Sequence, residues 1–121
     1  MAFEVGTQFV SVPASGDLST KQFYFGAINA SGQVAVVGAG LAADGVIADK
    51  AAGQGRPSAL QSMPGQIARV MAGAAFANGA LLEADATGRA ITQAAGKILA
   101  KALAAAGAAG DIVPVLLILQ R

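Results

Sequence analysis

The stretch with most chemical promise is Val34-Ala35-Val36-Val37-Gly38-Ala39-Gly40-Leu41-Ala42-Ala43, an apolar run opening into Gly-x-Gly-x-x-Ala. At that spacing, glycines let a backbone approach a pyrophosphate at a helix N-terminus. The chemistry needs a crossover helix, and there is no room for one. Asp44-Gly45 would break it after about one turn, and Gly53, Gly55 and Pro57 follow. An acidic ribose partner is expected about 20 residues on, yet nothing acidic lies between Asp49 and Glu83. The segment reads as a Gly-rich turn between two strands.

Carboxylates are the next candidates. Glu83 and Asp85 are two apart, so on a strand they share a face and could meet a cation or act as an acid pair. Asp85, however, opens the turn Asp85-Ala86-Thr87-Gly88, where Asp bonds its own backbone. Asp17 and Asp111, each after a Gly, have the same explanation, and Asp44 and Asp49 add no motif. With no His and no Cys, imidazole acid–base chemistry, thiolate chemistry and most zinc sites fall away. A Ser–Lys nucleophile pair would need convergence that spacing does not supply. We expect no catalytic residue, no cofactor and no metal. The chain is not read as an enzyme.

Basic residues are scattered, the net charge is +1 and charged residues make up only 12%. No cluster interleaves them with aromatics, which argues against nucleic acid as a partner. Lys97 and Lys101 read as one solvated side of an element. Arg56, in Gly53-Gln54-Gly55-Arg56-Pro57, is the charge best placed to face a partner, since loops on rigid sheets carry contacts.

The elements that must position these residues are short. Turn clusters such as Ala14-Ser15-Gly16-Asp17, Asn29-Ala30-Ser31-Gly32 and Met63-Pro64-Gly65 recur at roughly 10–15 residues, as in all-β sandwiches and barrels. Strands are expected over 8–12, 21–28, 33–37, 46–48, 59–62, 66–71, 80–83 and 89–92, with hairpin turns at 29–32 and 85–88. Phe23 and Phe25 are expected to share one strand face, with one or the other in the core, and Tyr24 on the opposite face. In Ile112-Val113-Pro114-Val115-Leu116-Leu117-Ile118-Leu119 both alternating faces are apolar, which implies a strand covered on both sides. Pro114 cannot donate to a ladder, so this strand is expected at an edge or bulge. A neighbouring loop or subunit would then cover its apolar faces. Between Ile91 and Leu103 the apolar spacing is helical and the residues are good helix formers, so pattern alone predicts a helix from Ala94 to Ala106. The alternative there is a strand from Lys97 to Ala105.

Composition points outward. Hydrophobic residues reach 55% but aromatics only 5%, about a quarter of the chain is Ala, and Gly adds 16. Small side chains bury little apolar area, so a solitary core would be thin, and part of the surface is expected to lie against other chains. Phe3, in an N-terminal arm within residues 1–17, is a candidate anchor on a partner. Phe9, Arg56, Pro114, Leu116 and Ile118 complete the expected partner contacts. Met1-Ala2-Phe3-Glu4 has no positive start and no apolar stretch follows it. The uncharged run Val115–Leu119 falls far short of the ~20 residues of a membrane span. Synthesis in the cytoplasm and no membrane partner are expected.

Several segments in order carry a family resemblance. They are Asp17-Leu18-Ser19-Thr20-Lys21-Gln22-Phe23-Tyr24-Phe25, then Gly45-Val46-Ile47-Ala48-Asp49-Lys50, Gly79-Ala80-Leu81-Leu82, Thr87-Gly88-Arg89-Ala90 and Gly110-Asp111-Ile112-Val113-Pro114-Val115-Leu116-Leu117. Over nearly the whole chain this order resembles the small capsid decoration, or cement, proteins of tailed bacteriophages. Ala51 departs from the pattern, which has Pro there. The resemblance implies one domain over 1–121, all-β with at most one short helix, as a compact β-barrel or β-tulip-like sandwich. It also implies strand over 97–105, against local propensity. It implies a structural virion protein on the outer capsid surface, commonly a homotrimer, that clamps adjacent major capsid protein subunits. The other class considered is a β-sandwich recognition module binding a surface glycan, which would need aromatic or polar clusters in loops; these loops carry few.

Overall fold

The computed structural model describes residues 9–51 and 53–121, and all regular structure among them is β. The strands are β1 (Phe9–Pro13), β2 (Phe25–Ile28), β3 (Val34–Val36), β4 (Gly45–Ile47), β5 (Pro57–Gln61), β6 (Ile67–Met71), β7 (Leu81–Ala84), β8 (Ala90–Thr92), β9 (Ala100–Ala102) and β10 (Ile112–Leu117). They form two five-stranded antiparallel sheets, ordered β1-β5-β4-β2-β3 and β6-β10-β9-β7-β8. The conflicted stretch before the last strand is therefore strand at Ala100–Ala102 and not helix. Pairing with β7 on one side and β10 on the other overrides its helical propensity.

The second order is the first with five added to every label, so the chain is a structural duplication. Register confirms it residue by residue. Ile28 pairs Val34 and Gly26 pairs Val36 in the first unit, as Ala84 pairs Ala90 and Leu82 pairs Thr92 in the second. Val46 faces Gln61 as Lys101 faces Leu116, and Phe9 faces Gln61 as Ile67 faces Leu116. Each sheet curls until its ends meet, through parallel bridges Ala14–Val34 and Ala72–Ala90.

Both hairpin turns are built alike. The Asn29 side-chain oxygen accepts the N–H groups of Ser31 (2.9 Å) and Gln33 (3.0 Å), and Asp85 Oδ1 accepts those of Thr87 (2.8 Å) and Arg89 (2.9 Å). Gly32 and Gly88 close them at φ 75° and 85°. Phe23 departs from expectation. It precedes the strand at φ 73°, a conformation costly for a side chain, and its counterpart in the second unit is Gly79 at φ 83°. In both units this residue donates to the equivalent carbonyl, Phe23 to Ile47 and Gly79 to Ala102. The strand starts only at Phe25, which is buried, while Phe23 and Tyr24 are half-buried.

Two clusters fill the interior. Val12, Ala14, Leu18, Val34, Ile47, Ala51 and Leu60 fill the first unit. The larger cluster fills the second with Val70, Leu82, Leu99, Val115 and Leu117 among others, and takes in Phe25, Val37, Ala43 and Val46 from the first. Ala51, the departure from the family pattern, is buried and its carbonyl accepts the Leu18 N–H at 2.7 Å.

Strand β10 corrects one expectation. It is not at an edge, since β6 and β9 flank it. Pro114 is tolerated because its carbonyl accepts the Leu103 N–H (3.0 Å), which puts its ring nitrogen on the β9 side just beyond Ala102, where β9 ends. Among the described residues the chain itself covers one of its two apolar faces. Val113, Val115 and Leu117 are buried, whereas Ile112 and Pro114 are exposed and Leu116 is half-buried.

Candidate interaction surface

Strand alternation makes the uncovered face. With Val113, Val115 and Leu117 turned inward, Ile112, Pro114 and Leu116 must point out. The flanking strands continue the pattern in rows: Met71 beside Ile112, Arg69 beside Pro114, and Ile67–Leu116–Lys101–Leu81 across four strands. These rows hold two cations and no acid. Beside them, at the junction of the units, lies a groove of about 420 Å³ lined by Phe9, Phe23, Ile67, Arg69 and Pro114. Gln61 Nε2 spans its floor, donating to the Ile67 carbonyl at 2.9 Å.

The expected contact residues fall in several places. Phe9 and Pro114 meet in the groove, and Leu116 lies on the adjoining face next to Ile67. Ile118 is exposed just past β10, its N–H bonded to the Leu99 carbonyl (2.8 Å). Arg56 is exposed but remote from Phe9, because the Arg56 carbonyl accepts from Ala14, beyond the far end of β1. Phe3 lies outside the described residues. Phe9–Pro13, within the stretch read as an arm, forms β1.

The acidic groups serve structure. Asp85 caps its hairpin and also takes the Thr87 hydroxyl (2.8 Å). Burial pushes its carboxyl up, but the N–H and O–H donors of Thr87 and Arg89, with the Arg89 charge, hold it below the usual carboxylate value. Burial likewise acts on Asp44 and is outweighed by Arg121 and the Ile28 N–H. Asp17 is lowered by its bonds to Ser19. Asp111 accepts the N–H groups of Gly107 and Ala108. Asp49 takes the Ser58 hydroxyl and the Ala59 N–H, both at 3.0 Å. Glu83 is buried and accepts the Ala94 N–H. Among the described residues no three acidic side chains converge as a metal site would require. The Gly38–Gly40 loop is a turn, and Gly40 crosses to the second unit, its N–H donating to the Ala84 carbonyl at 3.0 Å.

The family model of the phage cement proteins matches residues 15–117. The chain belongs to this family. It is a structural phage protein with a capsid-associated role. No curated protein sequence matches it. Among solved structures it is similar to the N base of head fiber gp8.5 in bacteriophage phi29, at 15% identity and TM-score 0.74, covering 96% of this chain and 98% of that one. At that identity the likeness establishes the fold alone.

Sequence reading missed the duplication and the residues at its junction, Phe25, Val46, Gly40 and Gly96. A signal was there. Asn29-Ala30-Ser31-Gly32 is echoed by Asp85-Ala86-Thr87-Gly88, and Ala39-Gly40 by Ala95-Gly96.

Proposed function

We propose that this cement-family protein binds the outer surface of a phage capsid as a homotrimer and bridges adjacent major capsid protein subunits, stabilising the shell without catalysis. The family match over 15–117 carries this reading. The uncovered apolar face of the second sheet supports it, because an exposed patch of this kind marks an interaction surface. Contacts are shared between coat protein and sister copies, and fall on Phe3, Phe9, Arg56, Pro114, Leu116 and Ile118. Each contact is small, and the shell gains from their number. The few charges make such contacts salt-tolerant. Synthesis takes place in the host cytoplasm and residence is in the virion.

Expanded heads lacking this protein test the reading. Added protein should bind them saturably and raise both their melting temperature and their burst pressure. Heads that bind none, or whose resistance is unchanged at saturation, would refute it.

A further inference from the structure

The two units meet through unlike surfaces. The first presents Phe25 and Val46, which point away from its own interior, and these join the cluster that fills the second unit. The second presents the ends of its inward rows, Ala68 and Ala84. Main-chain bonds follow the same sense, Phe25 N–H to the Gly88 carbonyl (2.8 Å) and Met71 N–H to the Phe23 carbonyl (3.0 Å). A two-fold relation would pack Gly32 as Gly88 is packed. Instead a Cβ at Gly88 would lie 2.2 Å from Val36, whereas one at Gly32 would meet nothing within 4 Å among the described residues. The junction is head-to-tail.

A head-to-tail junction leaves one unused copy of each surface at the ends of the chain. Phe25, fully buried, has as counterpart Leu81, 39% exposed. The counterparts of Val46 and Ala48 are Lys101 and Leu103, both exposed. At the other end Ala84 (0%) and Ala68 (3%) correspond to Ile28 (43%) and Val10 (45%). Four of the large apolar side chains left in solvent, Val10, Ile28, Leu81 and Leu103, are thus images of residues at the internal junction. Gly40 and Gly96 are counterparts that touch, since a Cβ on Gly96 would sit 2.4 Å from the Gly40 Cα. Counterparts this close leave little translation between the units at that point, as a closed ring requires.

We propose that copies of this chain associate by repeating that internal junction. Leu81, Leu103 and the methylene stem of Lys101 of one copy seal the open end of the first unit of the next, at Val10, Ile28 and the Gly32 turn. Three copies then form a ring of six units. The inference rests on the self-association part of the reading above and not on capsid binding.

Ile28→Arg and Leu81→Arg test it in sedimentation and native mass measurements. Wild type should run as a closed oligomer, and each variant should fall to the 11.8 kDa monomer with unchanged β circular dichroism. Mixed in equal amounts, the two variants should recover a species of about twice that mass, because one intact junction remains between them. If a variant loses its β signal, Val10→Arg and Leu103→Arg probe the same surfaces. A monomeric wild type, variants that keep the wild-type mass, or a mixture that stays monomeric would overturn the proposal. An intact ring that ignores heads would sink the capsid reading alone.

Discussion

The two units share a backbone and differ in how they are filled. The first encloses Val34, Ile47 and Leu60; at the same places the second has Ala90, Ala102 and Val115. Elsewhere the second unit is the larger, with Phe76 for Leu18, Leu82 for Gly26 and Leu117 for Ser62. The first unit keeps a small cluster of its own, whereas the cluster of the second extends across the junction to take in Phe25 and Val46. Side chains of one repeat pack into the core of the next, so the stability of each unit depends on the junction.

Four measurements test how differently the two units are built. The largest effect is expected at Gly45, where an added Cβ would lie 2.3 Å from the Gln61 carbonyl oxygen, although its counterpart is Ala100. Gly45→Ala should cost about 3 kcal/mol or more in denaturant unfolding, against about 1 kcal/mol for Ala100→Gly. Equal effects would mean that the two crossings are built alike. Next, Ile47→Ala should cost about 2–5 kcal/mol, and Ala102→Ile about 1–3 kcal/mol from overpacking. A neutral Ile47→Ala would deny the first unit its independent core.

The third concerns one backbone donor. In the first unit the Ala59 N–H is taken by Asp49; in the second the same positions are Pro114, which has no N–H, and Ala104. Asp49→Ala should cost about 1–3 kcal/mol by stranding that N–H. Combining it with Ala59→Pro should recover much of the loss, and a strictly additive double variant would refute the explanation. The smallest effect is acid dependence. Asp85 is held below the ordinary 3.8, so its stabilisation is present above that pH and lost as pH falls through its lower folded value. Asp85→Asn should flatten the decline in melting temperature in that range, and Asn29→Asp should steepen it. An unchanged profile for both would remove the carboxylate from the acid response.

Much of the fold was legible. Hairpin turns at Asn29–Gly32 and Asp85–Gly88 announce themselves through Asx side chains and a closing Gly, and nine of the strands follow from short apolar runs between such turns. The strand at Ala100–Ala102 came from family resemblance, since its Ala and Lys residues favour helix locally. The candidate surface was half-visible. Pro114 and Leu116 are apolar in the pattern, but alternation alone does not say which face of β10 meets the interior, nor that a Pro can sit inside a sheet where the neighbouring strand stops.

The sequence by itself determined a β-rich chain of small side chains with no imidazole or thiol, because composition and turn chemistry act locally. Tertiary structure decided that the chain is one unit used twice, that the second core extends into the first, and which apolar residues stay in solvent. Those are properties of register and of surfaces meeting in space, and residues as different as Phe25 and Leu81 or Phe23 and Gly79 carry the same backbone role without resembling one another.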